Sequence, residues 1–247
     1  MIKLDKQEYY PGEYLKAYIT TKSYSRLKRI IVSYEMGERT HSTSSDEDGT
    51  DNHYQTKFIS YREYIFDPHE THISTTFSIP DSCIRVFSVD QEIYTFNRIH
   101  IKYDISLGRD KHEYREIPIF APITLPEPSA YKIKENIELT LASTILYPNL
   151  KIPLNWKLAD NINFRNIRVK LRMEVISKAK GVTDKIRKEY KLVTLDALEG
   201  EVLLNIPNSK IPTYHGINLH INYYVKVTVD IPFRRDINVK IPVKYFV

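Results

Sequence analysis

Apolar residues at every second position, over run after run from one end of the chain to the other, constrain the fold more than any other feature. Leu219-His-Ile-Asn-Tyr-Tyr-Val-Lys-Val-Thr-Val-Asp230 is the longest example. A period of two places successive side chains on opposite faces of a pleated strand, so each such run predicts a strand with one buried and one solvated face. Apolar residues at helical spacing over a dozen positions are hard to find. Strands are predicted over 14–21, 29–36, 71–79, 99–107, 116–121, 137–142, 166–176, 191–195, 201–206, 218–230 and 238–246, which makes the chain all-β. Nineteen tyrosines, with many Ile, Val and Thr, suit pleated, half-buried surfaces.

The 247 residues exceed the usual size of one domain, and a weak internal repeat divides them. Ile99-His-Ile-Lys-Tyr103 recurs as Leu219-His-Ile-Asn-Tyr223. Ile79-Pro80 and Ile206-Pro207 precede the two copies, and Ile117-Pro118 and Ile241-Pro242 follow them. Leu27-Lys-Arg-Ile-Ile-Val-Ser-Tyr34 likewise parallels Phe164-Arg-Asn-Ile-Arg-Val-Lys-Leu171. Ala121-Pro-Ile-Thr-Leu-Pro-Glu-Pro128 separates the halves and reads as a stiff extended connector, so domains of 1–125 and 126–247 are expected.

Tyr10-Pro-Gly-Glu13 leading into Leu15-Lys-Ala-Tyr-Ile19 resembles the opening turn and strand of the arrestin superfamily. Ile211-Pro-Thr-Tyr-His-Gly216 followed by Leu219 to Pro232 is similar to that family's C-domain run, a proline-bearing turn before a long strand ending in an acidic residue and proline. The resemblance spans nearly the whole chain and implies two tandem immunoglobulin-like β-sandwiches with a non-catalytic adaptor or scaffold role. Partners would meet sheet faces, edge strands and loops. The basic phosphate-sensing cluster of receptor-binding arrestins and an extended tail with clathrin motifs are not found, so the likeness is to the minimal microbial type. Independently of the family, Pro11-Gly12 suits the centre of a type II turn.

A net charge of +5 and a pI near 9.0 favour acidic or phosphorylated partners. Lys178, Lys180, Lys185, Arg187, Lys188 and Lys191 surround an expected hairpin tip and are candidate anion ligands. They motivate a second reading as a nucleic-acid or anionic-lipid binder, with a protein partner preferred to nucleic acid. His41 to His53 has no apolar residue and is expected to be a mobile surface loop. There His41, Asp46, Asp48, Asp51 and His53 are weak metal candidates that lack the ligand order of an EF-hand, and a metal-dependent hydrolase is the third reading. His100 and His220 are expected to face solvent opposite their apolar neighbours, and His69 and His72 are poorly spaced for a closed metal site.

Cys83 stands in no recognisable nucleophile setting, and Trp156 is expected to anchor the second core. No catalytic motif built on glycine occurs, and only seven glycines are available, so no enzyme activity and no cofactor are expected. The single cysteine, the absence of a signal-like N-terminus and the lack of an apolar run of about 18 residues place the chain in the cytoplasm, reaching a membrane only through a partner. Few glycines and many Lys, Ile and Tyr also fit a thermophile-like composition.

Overall fold

The computed structural model describes residues 1–46, 49–119 and 129–247. Among them the chain is all-β, with several sheets and no helix, hence no helix long and apolar enough to cross a membrane. The strands are β1 (Ile2–Leu4), β2 (Tyr14–Thr20), β3 (Leu27–Asp46), β4 (Gly49–Phe66), β5 (His72–Ser78), β6 (Tyr94–Ile105), β7 (Lys111–Glu116), β8 (Ala130–Lys134) and β9 (Ile137–Leu141). They continue with β10 (Ile145–Leu146), β11 (Lys151–Leu158), β12 (Asn166–Ala179), β13 (Val182–Leu195), β14 (Glu199–Asn205), β15 (Tyr214–His215), β16 (Leu219–Asp230) and β17 (Ile237–Tyr245). Two compact units result, one of Met1–His41 with Asn52–Ile123, the other of Ser42–Asp51 with Thr124–Val247. The expected connector at 121–128 lies outside the described residues.

In the first unit a sheet ordered β1-β2-β5 and a sheet ordered β4-β3-β6-β7 share one core. Leu15, Ala17 and Ile19 of β2 meet Ile30, Val32 and Tyr34 of β3 and Ile99, Ile101 and Tyr103 of β6 there. Alternation is the cause, because every second residue of these strands is apolar and turned inward. The Tyr10 to Glu13 turn forms as the sequence predicts: Gly12 has φ of 80°, and the Glu13 amide donates to the Tyr10 carbonyl at 3.2 Å.

The second unit has one sheet ordered β14-β11-β9-β8 and another ordered β10-β17-β16-β12-β13, with β15 also pairing β16. The inward residues of β12, β16 and β17 are buried without a break from Ile167 to Val175, Leu219 to Val229 and Ile237 to Tyr245. Trp156 is buried as expected; its indole N–H donates to the Ala197 carbonyl at 3.1 Å, and Gly200 leaves room for its ring. Within this unit Ser42 Oγ donates to the Ala179 carbonyl, and the amide and hydroxyl of Thr43 both donate to Asp184.

Two expectations need correction. Residues 41–46 and 49–53 are strand rather than loop, since β3 and β4 run far past the apolar pattern. The strand expected over 116–121 is replaced by β7, which ends at Glu116 and is followed by an isolated bridge from Ile119 to Tyr9. Strand β4 was not predicted because most of its residues are exposed on both faces and carry no alternation.

Candidate anion-binding face and a buried carboxylate relay

The register of the second unit's larger sheet creates a feature that no single segment contains. Lys191 pairs with Lys170, Lys170 with Lys226 and Lys226 with Lys240, so four lysines from β13, β12, β16 and β17 stand in one cross-strand row. At about 4.8 Å between strands the row spans roughly 14 Å. The sequence neighbours of Lys170, Lys226 and Lys240 are buried and those of Lys191 half-buried, and the shared register places all four on the solvent face. The next row toward the β12–β13 turn is Glu189, Arg172, Tyr224 and Pro242, followed by Arg187, Glu174 and Asn222; Arg168 lies on the other side. Six cations of these rows, Lys170, Arg172, Arg187, Lys191, Lys226 and Lys240, stand with the two carboxylates Glu174 and Glu189, while Arg168 pairs with Asp236 and Asp230.

Like charges directly opposite one another destabilise a sheet. Glu189 relieves part of the cost, lying 2.8 Å from Lys170, 3.8 Å from Lys226 and 3.9 Å from Arg172. Glu174 is similarly shared by Lys185 at 3.2 Å and Arg187 at 3.1 Å. Burial acts to raise the Glu174 carboxyl, but these two cations outweigh it and hold it below the usual carboxylate range. Among the described residues Lys191 and Lys240 have no carboxylate partner, and Lys240 lies over the Tyr224 ring at 5.5 Å. The face therefore carries excess positive charge whose natural complement is an external anion.

A cleft of about 490 Å³ opens beside these rows, lined among others by Asn222, Tyr224, Pro242, Lys244, Thr144 and His215. It forms where β17 leaves β16 after the Tyr223 to Val243 pair and donates from the Tyr245 amide to Thr213 Oγ1 at 2.7 Å instead.

The sequence candidates divide. Lys185, Arg187 and Lys191 share the lysine-row face, and Lys178 continues it toward the turn. Lys188 is on the opposite face, over the Tyr190 ring at 5.1 Å, and Lys180 occupies the turn with φ of 48°. Lys170, Lys226 and Lys240 went unrecognised, because only sheet register aligns residues so far apart. Alternation could have placed each on a solvated face, though not in one row.

A second cluster lies on the solvent face of the first unit's β3, β6 and β7. Glu35 is 3% exposed and accepts from His100 Nδ1 at 2.6 Å, from Arg98 at 2.8 Å and from Ser33 Oγ at 3.2 Å. His100 Nε2 lies 2.8 Å from His112 Nδ1. With Nδ1–H given to Glu35, a neutral His100 accepts at Nε2, so His112 donates from Nδ1. Tyr114 stacks on His100 at 4.5 Å, and the Arg98 guanidinium is held between Phe96 and Tyr114. Burial would raise the Glu35 carboxyl, but His100 and then Arg98 hold it below the usual carboxylate range. Burial, followed by the charge of His100, lowers His112.

No protein-family model matches the chain, and no curated protein matches it.

Of the metal candidates, His41 stacks on Tyr54, lies 3.0 Å from the Asn52 side-chain oxygen and 3.1 Å from Glu92. Asp51 is exposed; Asp48 and the Asp46 side chain lie outside the described residues. Among the described residues no three His, Cys, Asp or Glu side chains converge as metal ligands. His220 faces outward with its ring 5.9 Å from that of His215. Cys83 packs against the first core, where burial pushes its thiol up.

Proposed function

We propose that the chain is an arrestin-like, non-catalytic adaptor of two immunoglobulin-like sandwiches, whose second unit holds an acidic protein surface against its basic sheet face. The observation that carries this reading is the lysine row from Lys191 to Lys240. A sheet accepts four like charges in register at a cost to its own stability, and an acidic partner returns that cost on binding.

The distribution of charge favours a protein over a nucleic acid. Glu174 and Glu189 sit among the cations of β12 and the edge strand β13, where a uniform phosphate backbone would meet repulsion, while a protein surface can answer them with its own cations. Tyr224 is the one aromatic side chain in the four rows, so the face offers bases little on which to stack. The neighbouring cleft is large enough for one side chain of a docked partner.

Poly-L-glutamate serves as a probe of acidic-surface binding. The full chain should bind it at low salt, and Lys226→Glu with Lys240→Glu should weaken binding at least tenfold. Lys188→Glu, on the opposite face of the same sheet, should leave it nearly unchanged. Equal losses from both variants would mean that net charge, not the row, drives binding, and the proposal would fail.

A further inference from the structure

Phe233 is the most exposed large apolar residue of the described chain, at 101% of its reference area. It sits in the turn between β16 and β17, Ile231-Pro-Phe-Arg-Arg-Asp236, with φ of 58°. A bulky side chain in the left-handed region is strained, and glycine or asparagine would be favoured there. The turn spends stability to hold an aromatic ring entirely in water, where the ring gains nothing for folding.

Two cations follow directly. Among the described residues Arg234 and Arg235 have no carboxylate partner, because the nearby acids are engaged elsewhere: Asp236 lies 3.0 Å from Arg168, and Asp230 faces Arg165 and Arg168 at 3.9 Å. Both arginines line a cleft of about 540 Å³ together with Asn136, Asn161 and Asn163. Glu135 is the one acid lining it, and Lys134 lies 3.5 Å from its carboxylate. Guanidinium groups and amides around a concave site suit phosphate oxygens. An apolar side chain projecting past flanking cations is the arrangement that lets a surface element enter the interface of a bilayer while charge holds the headgroups.

We infer that the β16–β17 turn is a membrane-docking element. Phe233 enters the headgroup and acyl boundary of an anionic bilayer, and Arg234, Arg235 and the adjoining cleft take the lipid phosphate. Pro232 stiffens the approach, and the Arg234 amide closes the turn on the Ile231 carbonyl at 3.4 Å. The site is separate from the lysine row, whose neighbouring glutamates on β12 and β13 repel a uniformly anionic surface. An adaptor with both would hold an acidic protein beside a membrane.

The test is sedimentation of the full chain with vesicles of phosphatidylglycerol and phosphatidylcholine, compared with phosphatidylcholine alone. The native chain should sediment only with the anionic vesicles. Phe233→Gly should lower partitioning about tenfold or more, the equivalent of losing one buried aromatic anchor, while raising the melting temperature because the turn relaxes. Arg234→Glu with Arg235→Glu should abolish sedimentation. Phe233→Trp should show a blue-shifted emission on vesicle addition, against the constant signal of buried Trp156. Lys226→Glu with Lys240→Glu should keep vesicle binding while losing poly-L-glutamate, which separates this site from the adaptor face. The inference is overturned if the native chain stays in solution with anionic vesicles, if Phe233→Gly sediments as well as the native chain, or if the lysine variant alone loses sedimentation.

Discussion

Glu35 shows how one buried charge organises a solvated face. Its carboxylate is the shared acceptor for Ser33, Arg98 and His100, and His100 in turn contacts His112. Removing the charge leaves Arg98 and His100 facing a neutral amide in a nearly closed site, so Glu35→Gln should cost about 2–4 kcal/mol of unfolding free energy in urea. The pH dependence has two parts. Glu35 titrates lower when folded than when unfolded, so its contribution is present above about pH 4.3 and is lost as pH falls through the lower folded value. His112 is also depressed, so the unfolded chain takes up that proton first and stability declines as pH drops below about 6.5. His112→Gln should flatten the upper part of this decline and Glu35→Gln the lower, read as urea midpoints against pH; unchanged profiles would refute the relay. Alternation made the outward position of His100 legible. Its partners were not, because Glu35 is 65 residues away and the two meet only through the β3–β6 register.

Turns and registers decide what the strands become. Ala179 pairs with Val182 across Lys180 and Gly181, whose φ values of 48° and 87° fit the two-residue turn that matches strand twist. Gly181→Ala should therefore cost about 1 kcal/mol although nothing lies within 4 Å of the added carbon. Glu135 and Asn136 make the same kind of turn between β8 and β9, with φ of 46° and 67°. Glu135→Asn should raise stability by a few tenths of a kcal/mol, measurable as a shift in the urea midpoint. Gly37→Ala should be far worse, since its Cβ would meet the backbone oxygen of Lys57 and the Phe96 ring; a loss of about 2 kcal/mol or more is expected in thermal unfolding. Strands with one buried face, such as β2, β12, β16 and β17, were readable from alternation. Strand β4 was not, because neither of its faces is consistently buried, and the short β10 and β15 carry too few residues to show a period.

At the scale of the whole molecule, one strand of each unit can be compared directly. The matched segments Ile99–Tyr103 and Leu219–Tyr223 fall on β6 and β16, each flanked by a partner on both sides, and Tyr103 and Tyr223 are both fully buried. The likeness of these two strands was visible in the sequence, whereas the lysine row was not, since it needs four strands to be laid side by side. The central claim is that this row is a contact surface for an acidic partner, and charge-driven contacts weaken as salt screens them. The most direct measurement is the affinity of fluorescent poly-L-glutamate for the full chain, by anisotropy, over a series of salt concentrations. The native chain should lose affinity steeply with salt, and replacing Lys170, Lys226 and Lys240 by alanine should both weaken binding at low salt and flatten the slope. A variant that keeps the native slope and affinity would contradict the account.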